Sequence, residues 1–212
     1  MKVEIWSDVM CPFCYIGKRK FEKALAEFDG KEKVEIEWKS FQLNPSQITD
    51  PGKNINQYLS EVKGWSLEQA KEMNERVTAM AKEVGLNYNF DKAIVANSFD
   101  AHRLIQLAKR KELGDQMEEA LFKAYFIDGK NTADHATLIS LAADAGLDEA
   151  EAKAILESGI FADEVEADIE LAQQIGVRGV PFFVFDRKYA VSGAQPPEVF
   201  LDTMKKVVHE KS

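Results

Sequence analysis

The first 41 residues alternate polar and apolar positions in a pattern that predicts a strand, a helix and a second strand. Residues 2–7 (KVEIWS) alternate charged and apolar side chains, which is typical of a half-buried strand. Residues 15–28 have apolar side chains at helical spacing, and this helix is expected to begin at or just before Cys11. Residues 33–41 alternate again. The pattern therefore predicts a β–α–β unit with Cys11 at its first strand-to-helix turn.

The middle of the chain has the apolar spacing of helices. Residues 42–57 are rich in Pro, Asn, Gly and Asp, and this composition predicts a boundary loop. Helical spacing then recurs in six segments: 66–85, 99–112, 114–129, 134–146, 148–158 and 161–176. No fixed-length repeat recurs among them, so a repeat solenoid is not supported.

The C-terminal part of the chain returns to strand patterns. Residues 179–186 (GVPFFVFD) form a short apolar run that is typical of a buried strand, and residues 188–193 (KYAVSG) predict its hairpin partner. Residues 196–208 predict a final amphipathic helix that begins at a proline.

This order of elements predicts one α/β domain that is split by an all-helical insertion. Residues 1–45 and 177–212 would form the α/β domain, and residues 46–176 would form the insertion. The last helix of the insertion, about 161–176, would lead the chain back into the α/β domain.

Charge and composition narrow the classes of function. Acidic residues outnumber basic ones by 36 to 27, and the net charge of −9 argues against nucleic acid and gives no attraction to an anionic membrane surface. Glu4 and Asp8 interrupt any secretory signal, and no run of 18 apolar residues predicts a membrane span. These features predict a cytoplasmic protein, in which a permanent structural disulfide is disfavoured.

The chain has only two cysteines, Cys11 and Cys14, and three interpretations of this pair compete. A structural bridge that closes a loop of four residues would stabilise the fold by only about 1.9 kcal/mol. A structural zinc site needs four ligands, but the three histidines, His102, His135 and His209, are scattered without metal-binding spacing. A two-cysteine site for a soft metal stays open, and the third interpretation is a redox pair.

The redox interpretation fits the predicted place of the pair at a helix N-terminus. Unpaired backbone N–H groups and the helix dipole favour a thiolate at Cys11. Cys14 lies one turn further along and is expected to lie deeper. Cys11 would then attack a disulfide, and Cys14 would resolve the mixed disulfide. A C-x-x-C sequence at the end of the first strand of a βαβ unit favours this chemistry.

Five segments together resemble the DsbA-like thioredoxin superfamily. They are SDVMCPFCYIGKRKFE, FQLNP, AHRL, GVRGVPFFVF and VSGAQ. The branch that the chain resembles most is the FrnE-like dithiol oxidoreductases, which are related to 2-hydroxychromene-2-carboxylate isomerases and kappa-class glutathione transferases. The resemblance implies a thioredoxin fold (βαβ…ββα) interrupted by a large helical insertion.

The resemblance also implies a cis-proline loop that faces the cysteines. The matching proline is Pro181, and a cis bond after Val180 would expose the backbone of Val180 to an extended substrate. Pro12 and Phe13, between the cysteines, are expected to contact substrate as well. Phe13 replaces the tryptophan that is commoner in the redox branch, so an aromatic lid remains without an indole N–H. The isomerase and transferase relatives have serine at the position of Cys11, so this chain, with both cysteines, resembles the redox branch.

Three further residues are candidates for substrate binding. His102 lies in a segment that resembles a family pattern. It could face the cleft and act as an acid or base. The alternative is a helix histidine that is hydrogen-bonded between packed elements. The backbone N–H groups of Ala194 and Gln195 could hold a carboxylate at the start of the last helix. A tight turn at Gly193 is the alternative for that segment.

These observations predict a DsbA-like thiol–disulfide oxidoreductase that uses Cys11 and Cys14. Its substrates would be protein or low-molecular-weight disulfides, with no metal or bound organic cofactor, and glutathione is a possible co-substrate. One alternative is a glutathione-dependent isomerase or transferase acting on a small aromatic molecule. A second alternative is a non-enzymatic thiol protein that binds metal or senses redox state.

Overall fold

The computed structural model describes residues 1–210 and contains a four-stranded sheet. Its strands are β1 (Lys2–Ser7), β2 (Glu35–Ser40), β3 (Phe182–Phe185) and β4 (Tyr189–Ser192). The strand order is β2-β1-β3-β4; β1 pairs with β2 in parallel, whereas β3 is antiparallel to both β1 and β4. The two ends of the chain therefore meet in one sheet, because β1 lies between an N-terminal and a C-terminal partner.

Two helices pack on the face of the sheet that carries Ile5. They are α1 (Pro12–Ala26) and α9 (Pro197–His209). Phe21 of α1 lies 5.5 Å from Phe183 of β3 and 5.8 Å from Phe200 of α9, measured between ring centroids. This aromatic contact ties α1 to a strand and a helix from the other end of the chain.

The other helices lie between β2 and β3 in the sequence. They are α2 (Ile55–Lys63), α3 (Leu67–Glu83), α4 (Phe99–Arg110), α5 (Gly114–Lys123), α6 (His135–Asp144), α7 (Glu149–Leu156) and α8 (Ala162–Gln174). A π-helical turn, Ala124–Asp128, extends α5.

The mixed α/β architecture with a large helical part confirms the fold class expected from the sequence. Residues 211 and 212, included in the expected C-terminal part of the α/β domain, lie outside the described residues.

Helix α2 was not predicted, because part of it falls in the segment interpreted as a boundary loop. Its N-cap is Asn54, whose side chain accepts a hydrogen bond from the backbone N–H of Asn56. The helix ends at Gly64, which has a φ of 68° and so adopts the left-handed conformation that glycine accepts readily. Ser66 and Gln69 then form a capping box that begins α3.

Helix α8 covers the opposite face of the sheet. Asp168 of α8 accepts a hydrogen bond from the backbone N–H of Ser40 at 3.1 Å, and its backbone carbonyl accepts one from the indole of Trp6 at 2.9 Å. These bonds connect the last helix before β3 to the ends of β1 and β2. The strand-to-helix turn after β1 is consequently held on a rigid three-layer frame.

Candidate active site at the CPFC turn

The CPFC sequence begins α1 directly after the turn that follows β1. Cys11 is the N-cap residue, with extended backbone angles (φ −88°, ψ 110°), and Pro12 is the first helical residue. The backbone N–H of Cys11 donates to the carbonyl of Asp8 at 2.9 Å. No acidic residue lies in the first turn of α1. Pro12 has no N–H and the N–H of Cys14 donates to the carbonyl of Cys11 at 3.0 Å, so the dipole of α1 is the main favourable interaction with a negative charge at Cys11.

The two thiols are both free and buried, but their surroundings differ. The Cys11 thiol donates to the carbonyl oxygen of Val180 at 3.3 Å, and Cys11 borders an open cavity. Cys14 lies one turn deeper and is 1% exposed. Burial raises the pKa of the Cys14 thiol well above its usual range, and the neighbouring Cys11 raises it further.

The loop before β3 packs directly against α1. The peptide bond between Val180 and Pro181 is cis, and the carbonyl of Pro181 accepts a hydrogen bond from the backbone N–H of Gly193 at 2.8 Å. A Cβ atom on Gly17 of α1 would lie only 2.8 Å from Cγ of Pro181. Gly17 therefore permits the close approach that brings Val180 to the Cys11 sulfur.

A cavity of about 310 Å³ opens at the CPFC turn. Cys11, Pro12, Phe13 and Val180 line one side of it, and Phe13 is 37% exposed at its edge. Leu43 and Asn44 line it from the loop after β2, and the remaining wall comes from the helical insertion. Most of the lining is apolar or aromatic, as in many small-molecule sites.

Helix α2 provides a large part of that wall. Ile55, Tyr58, Leu59 and Val62 all line the cavity. These positions follow the i, i+3, i+4, i+7 spacing of an amphipathic helix, and this spacing is the sequence signal that predicts α2. Lys63, at the end of α2, is the only charged residue in the part of this lining that the structure describes.

His102 lies behind the CPFC turn, apart from the residues that line the cavity. It is on α4, its side chain is fully buried, and its Nε2 lies 3.4 Å from Oδ1 of Asp8. This approach lacks hydrogen-bond geometry, and neither ring nitrogen has a partner within residues 1–210. Asp8 itself accepts a hydrogen bond from the backbone N–H of Leu43 at 2.7 Å. His102 thus packs against the turn before Cys11 and lies outside the lining of the cavity.

Ala194 and Gln195 also lie apart from the cavity lining. They precede α9, whose N-cap is Pro196, so their N–H groups are not those of the first helical turn. The backbone N–H of Gln195 donates to the carbonyl of Gly193 at 2.9 Å, and the carbonyl of Ala194 accepts from Lys20 at 3.0 Å. This segment forms a tight turn at Gly193, in which the N–H of Gln195 is already used.

Within residues 1–210, no three His, Cys, Asp or Glu side chains come together as a possible set of metal ligands. None of the helices that the structure describes combines the length and the apolar character needed to cross a membrane.

Known proteins of similar sequence and structure identify the family of this chain. Residues 2–205 match the family model of the DSBA-like thioredoxin domain. A probable DsbA oxidoreductase from Streptomyces coelicolor is 40% identical, and its crystal structure superposes with a TM-score of 0.93 over 100% of this chain and 92% of that chain. The uncharacterized protein YwbO from Bacillus subtilis is 30% identical over 206 residues, which cover 93% of this chain and 92% of YwbO.

A more distant structure shares the fold. The cytosolic disulfide reductase DsbM from Pseudomonas aeruginosa superposes with a TM-score of 0.70 at 16% identity, over 99% of both chains, and a second structure of DsbM includes GSH. The family and its oxidoreductase relatives support thiol–disulfide oxidoreduction as the class of reaction. The chain belongs to the DsbA-like thioredoxin domain family.

Proposed function

We propose that this protein exchanges disulfides through Cys11 and Cys14, with Cys11 as the attacking thiolate and Cys14 as the resolving thiol. The observation that carries the proposal is the placement of the pair. Cys11 is at the N-cap of α1 and borders the cavity, and Cys14 lies one turn deeper in the same helix. A thiolate at a helix N-terminus that substrate can reach is the arrangement that disulfide exchange needs.

The reaction has two steps. The Cys11 thiolate attacks one sulfur of the substrate disulfide, forms a mixed disulfide and releases the other sulfur as a thiolate, which takes up a proton. Cys14 then loses its proton and attacks Sγ of Cys11, which releases the second substrate thiolate. The substrate disulfide gains two electrons and the Cys11–Cys14 pair loses two, and the same steps in reverse oxidise a substrate dithiol.

The electrostatics of Cys14 fit this order of events. Burial and the nearby Cys11 both raise the pKa of Cys14, so Cys14 stays protonated in the first step, in which the proposed nucleophile is Cys11. In the mixed disulfide Cys11 is neutral, and one of the two causes of the raised pKa disappears. Cys14 is then easier to deprotonate at the step in which it must attack.

The cavity supports small or extended disulfide substrates with an apolar part next to the reacting sulfur. Phe13 and Val180 border Cys11, and the insertion surrounds the rest of the cavity with apolar side chains. Val180 offers its carbonyl to an extended substrate once the Cys11 thiol no longer donates to it. The proposed substrates are protein or low-molecular-weight disulfides, with glutathione as a possible co-substrate and no bound cofactor.

The experiment that tests the proposal is an equilibrium titration of the pair. The protein is equilibrated in glutathione buffers of known potential, its thiols are alkylated with a mass tag, and the products are weighed. We expect the wild type to lose both taggable thiols in one two-electron transition with no added glutathione mass, and neither Cys11→Ser nor Cys14→Ser can make this transition because each keeps only one thiol. A pair that stays reduced at every potential would overturn the proposal.

Turnover by the Cys14→Ser variant separates this proposal from a glutathione-dependent isomerase or transferase. The dithiol mechanism predicts that this variant accumulates a mixed disulfide on Cys11 and stops. Unchanged turnover in Cys14→Ser would favour the isomerase or transferase, because Cys14 has no part in that chemistry.

A further inference from the structure

Tyr88, a residue of the helical insertion, reaches the dipeptide between the two cysteines. It lies in the connection between α3 and α4 and is 7% exposed. Its hydroxyl donates a hydrogen bond to the backbone carbonyl oxygen of Pro12, with a distance of 2.7 Å between the two oxygens. The insertion therefore contacts the backbone of the CPFC turn as well as surrounding the cavity.

Packing holds the Tyr88 ring in this position. Its centroid lies 4.7 Å from that of Phe126, with an angle of 25° between the planes, and 6.1 Å from that of Tyr15. Phe90 meets the ring edge-on at 5.6 Å. The backbone N–H of Asn89 donates to the carbonyl of Phe126 at 2.7 Å, which fixes the connection next to the π-helical turn. A ring confined on these sides keeps its hydroxyl directed at Pro12.

The hydroxyl of Tyr88 also remains a donor at any working pH. Burial raises the pKa of Tyr88 far above its ordinary range, and the nearby Cys11 and Cys14 raise it further. Pro12 lies between the two cysteines in the sequence, so the hydroxyl bonds to the backbone that joins them. The Pro12 carbonyl belongs to the first turn of α1, where its partial negative charge opposes a thiolate at Cys11.

We propose that Tyr88 is a positioning residue for the dithiol: its hydroxyl neutralises and fixes the Pro12 carbonyl, and so stabilises the thiolate of Cys11 and the reduced state of the pair. The inference rests on the proposed function, because it assumes that Cys11 and Cys14 form a redox pair. Stabilising the thiolate makes such a pair a stronger oxidant, because the reduced form gains the free energy. Removal of the hydroxyl should therefore make the midpoint potential more negative.

The test is Tyr88→Phe, which removes the hydroxyl and keeps the ring. One net hydrogen bond corresponds to a change of about three- to tenfold in the equilibrium constant with glutathione. That change equals a shift of about 15 to 30 mV to more negative potential, at about 30 mV per tenfold for a two-electron couple. The pH profile of Cys11 alkylation should also move to higher pH.

The matched control is Tyr15→Phe. Tyr15 belongs to the same group of rings, but its hydroxyl bonds to Glu119 at 2.6 Å rather than to the CPFC backbone. We expect Tyr15→Phe to leave the midpoint potential and the alkylation profile unchanged. Equal shifts in the two variants would overturn the inference, since they would reflect a general loosening of the rings.

A second substitution keeps the test independent of folding. Site-specific 3-fluorotyrosine at position 88 preserves the ring and its hydroxyl and makes the hydroxyl a stronger donor, so the midpoint should move to less negative potential. Wild-type values of both midpoint and alkylation profile in Tyr88→Phe, or no shift with fluorotyrosine, would refute the role of Tyr88. A wild-type pair that never closes would instead refute the proposed function, which distinguishes the two failures.

Discussion

Replacing Gly17 with alanine tests how closely α1 must approach the Pro181 loop. The new Cβ would lie 2.8 Å from Cγ of Pro181 and 3.5 Å from the ring of Phe183. A carbon–carbon distance of 2.8 Å is well inside van der Waals contact. The proline ring cannot rotate away from it, so α1 and the loop must move apart.

Two opposing effects set the size of the change. Alanine favours a helix interior over glycine by up to about 1 kcal/mol. Overpacking a tight contact costs about 1 to 3 kcal/mol. The middle of the overpacking range less the helix preference leaves a net loss of about 1 kcal/mol in the free energy of unfolding of Gly17→Ala. In a chain of this length that loss lowers Tm by roughly 2 to 4 °C.

The loss of stability should be accompanied by a loss of activity. The carbonyl of Val180 accepts from the Cys11 thiol at 3.3 Å, so displacement of the Pro181 loop moves the substrate-facing backbone away from the sulfur. Urea unfolding of the reduced protein measures the first effect, and the rate of exchange with oxidised glutathione measures the second.

Gly114→Ala is the matched control. It also places a methyl group on a helical glycine, but its nearest neighbours would be Cγ of Lys109 at 3.4 Å and Cδ1 of Trp38 at 3.7 Å. These are ordinary contacts, so the helix preference of alanine should leave this variant as stable as the wild type or slightly more stable. If Gly17→Ala and Gly114→Ala unfold at the same urea concentration, the close approach of α1 to Pro181 has no energetic importance.

Three further predictions concern a buried carboxyl, the cavity and the resolving thiol. Burial raises the pKa of Glu118 to about 8, so the unfolded chain loses this proton from about pH 4.5 upwards while the folded protein keeps it. Stability from this group is therefore full below pH 4.5 and falls as pH rises towards 8. Glu118→Gln should be more stable than wild type by about 3 kcal/mol at pH 7, by less than about 1 kcal/mol at pH 5, and nearly equal at pH 4. Equal urea midpoints at pH 7 would contradict this. Lys63→Met should raise KM for oxidised glutathione about two- to fivefold and leave KM for an uncharged aromatic disulfide unchanged. Equal effects on the KM values of both substrates would exclude a charge contact between Lys63 and glutathione. Cys14→Ser should yield a Cys11–glutathione adduct in intact mass spectra after exposure to oxidised glutathione, and a spectrum free of adduct would contradict the attack by Cys11.

The CPFC turn and the strand after Pro181 were predictable from sequence because their signals are local. One signal is the change from a strand pattern to helical spacing at Cys11, and the other is a proline that precedes four apolar residues. Neither signal depends on distant contacts. Family resemblance then related Pro181 to the cysteines.

The rest of the site depends on contacts that sequence patterns do not encode. Helix α2 has nine residues, and its apolar positions were obscured by the polar loop before it. Tyr88 lies in an irregular connection, and only the packing of its ring against Phe126 brings its hydroxyl to Pro12. Gln195 was expected at a helix start, but α9 begins at Pro197 and the N–H of Gln195 is used within the turn.

The pairing of β1 with β3 has a consequence for synthesis of the chain. Cys11 emerges from the ribosome long before residue 182, and at about 5 to 20 residues per second the interval is roughly 10 to 30 s. Until Phe182–Phe185 arrive, one edge of β1 stays open, and the Pro181 loop cannot cover α1. The nascent chain therefore carries both thiols through that interval with a strand edge unpaired beside them and without the Val180 carbonyl that accepts from Cys11. The last strands close that edge and complete the surroundings of Cys11 only at the end of synthesis.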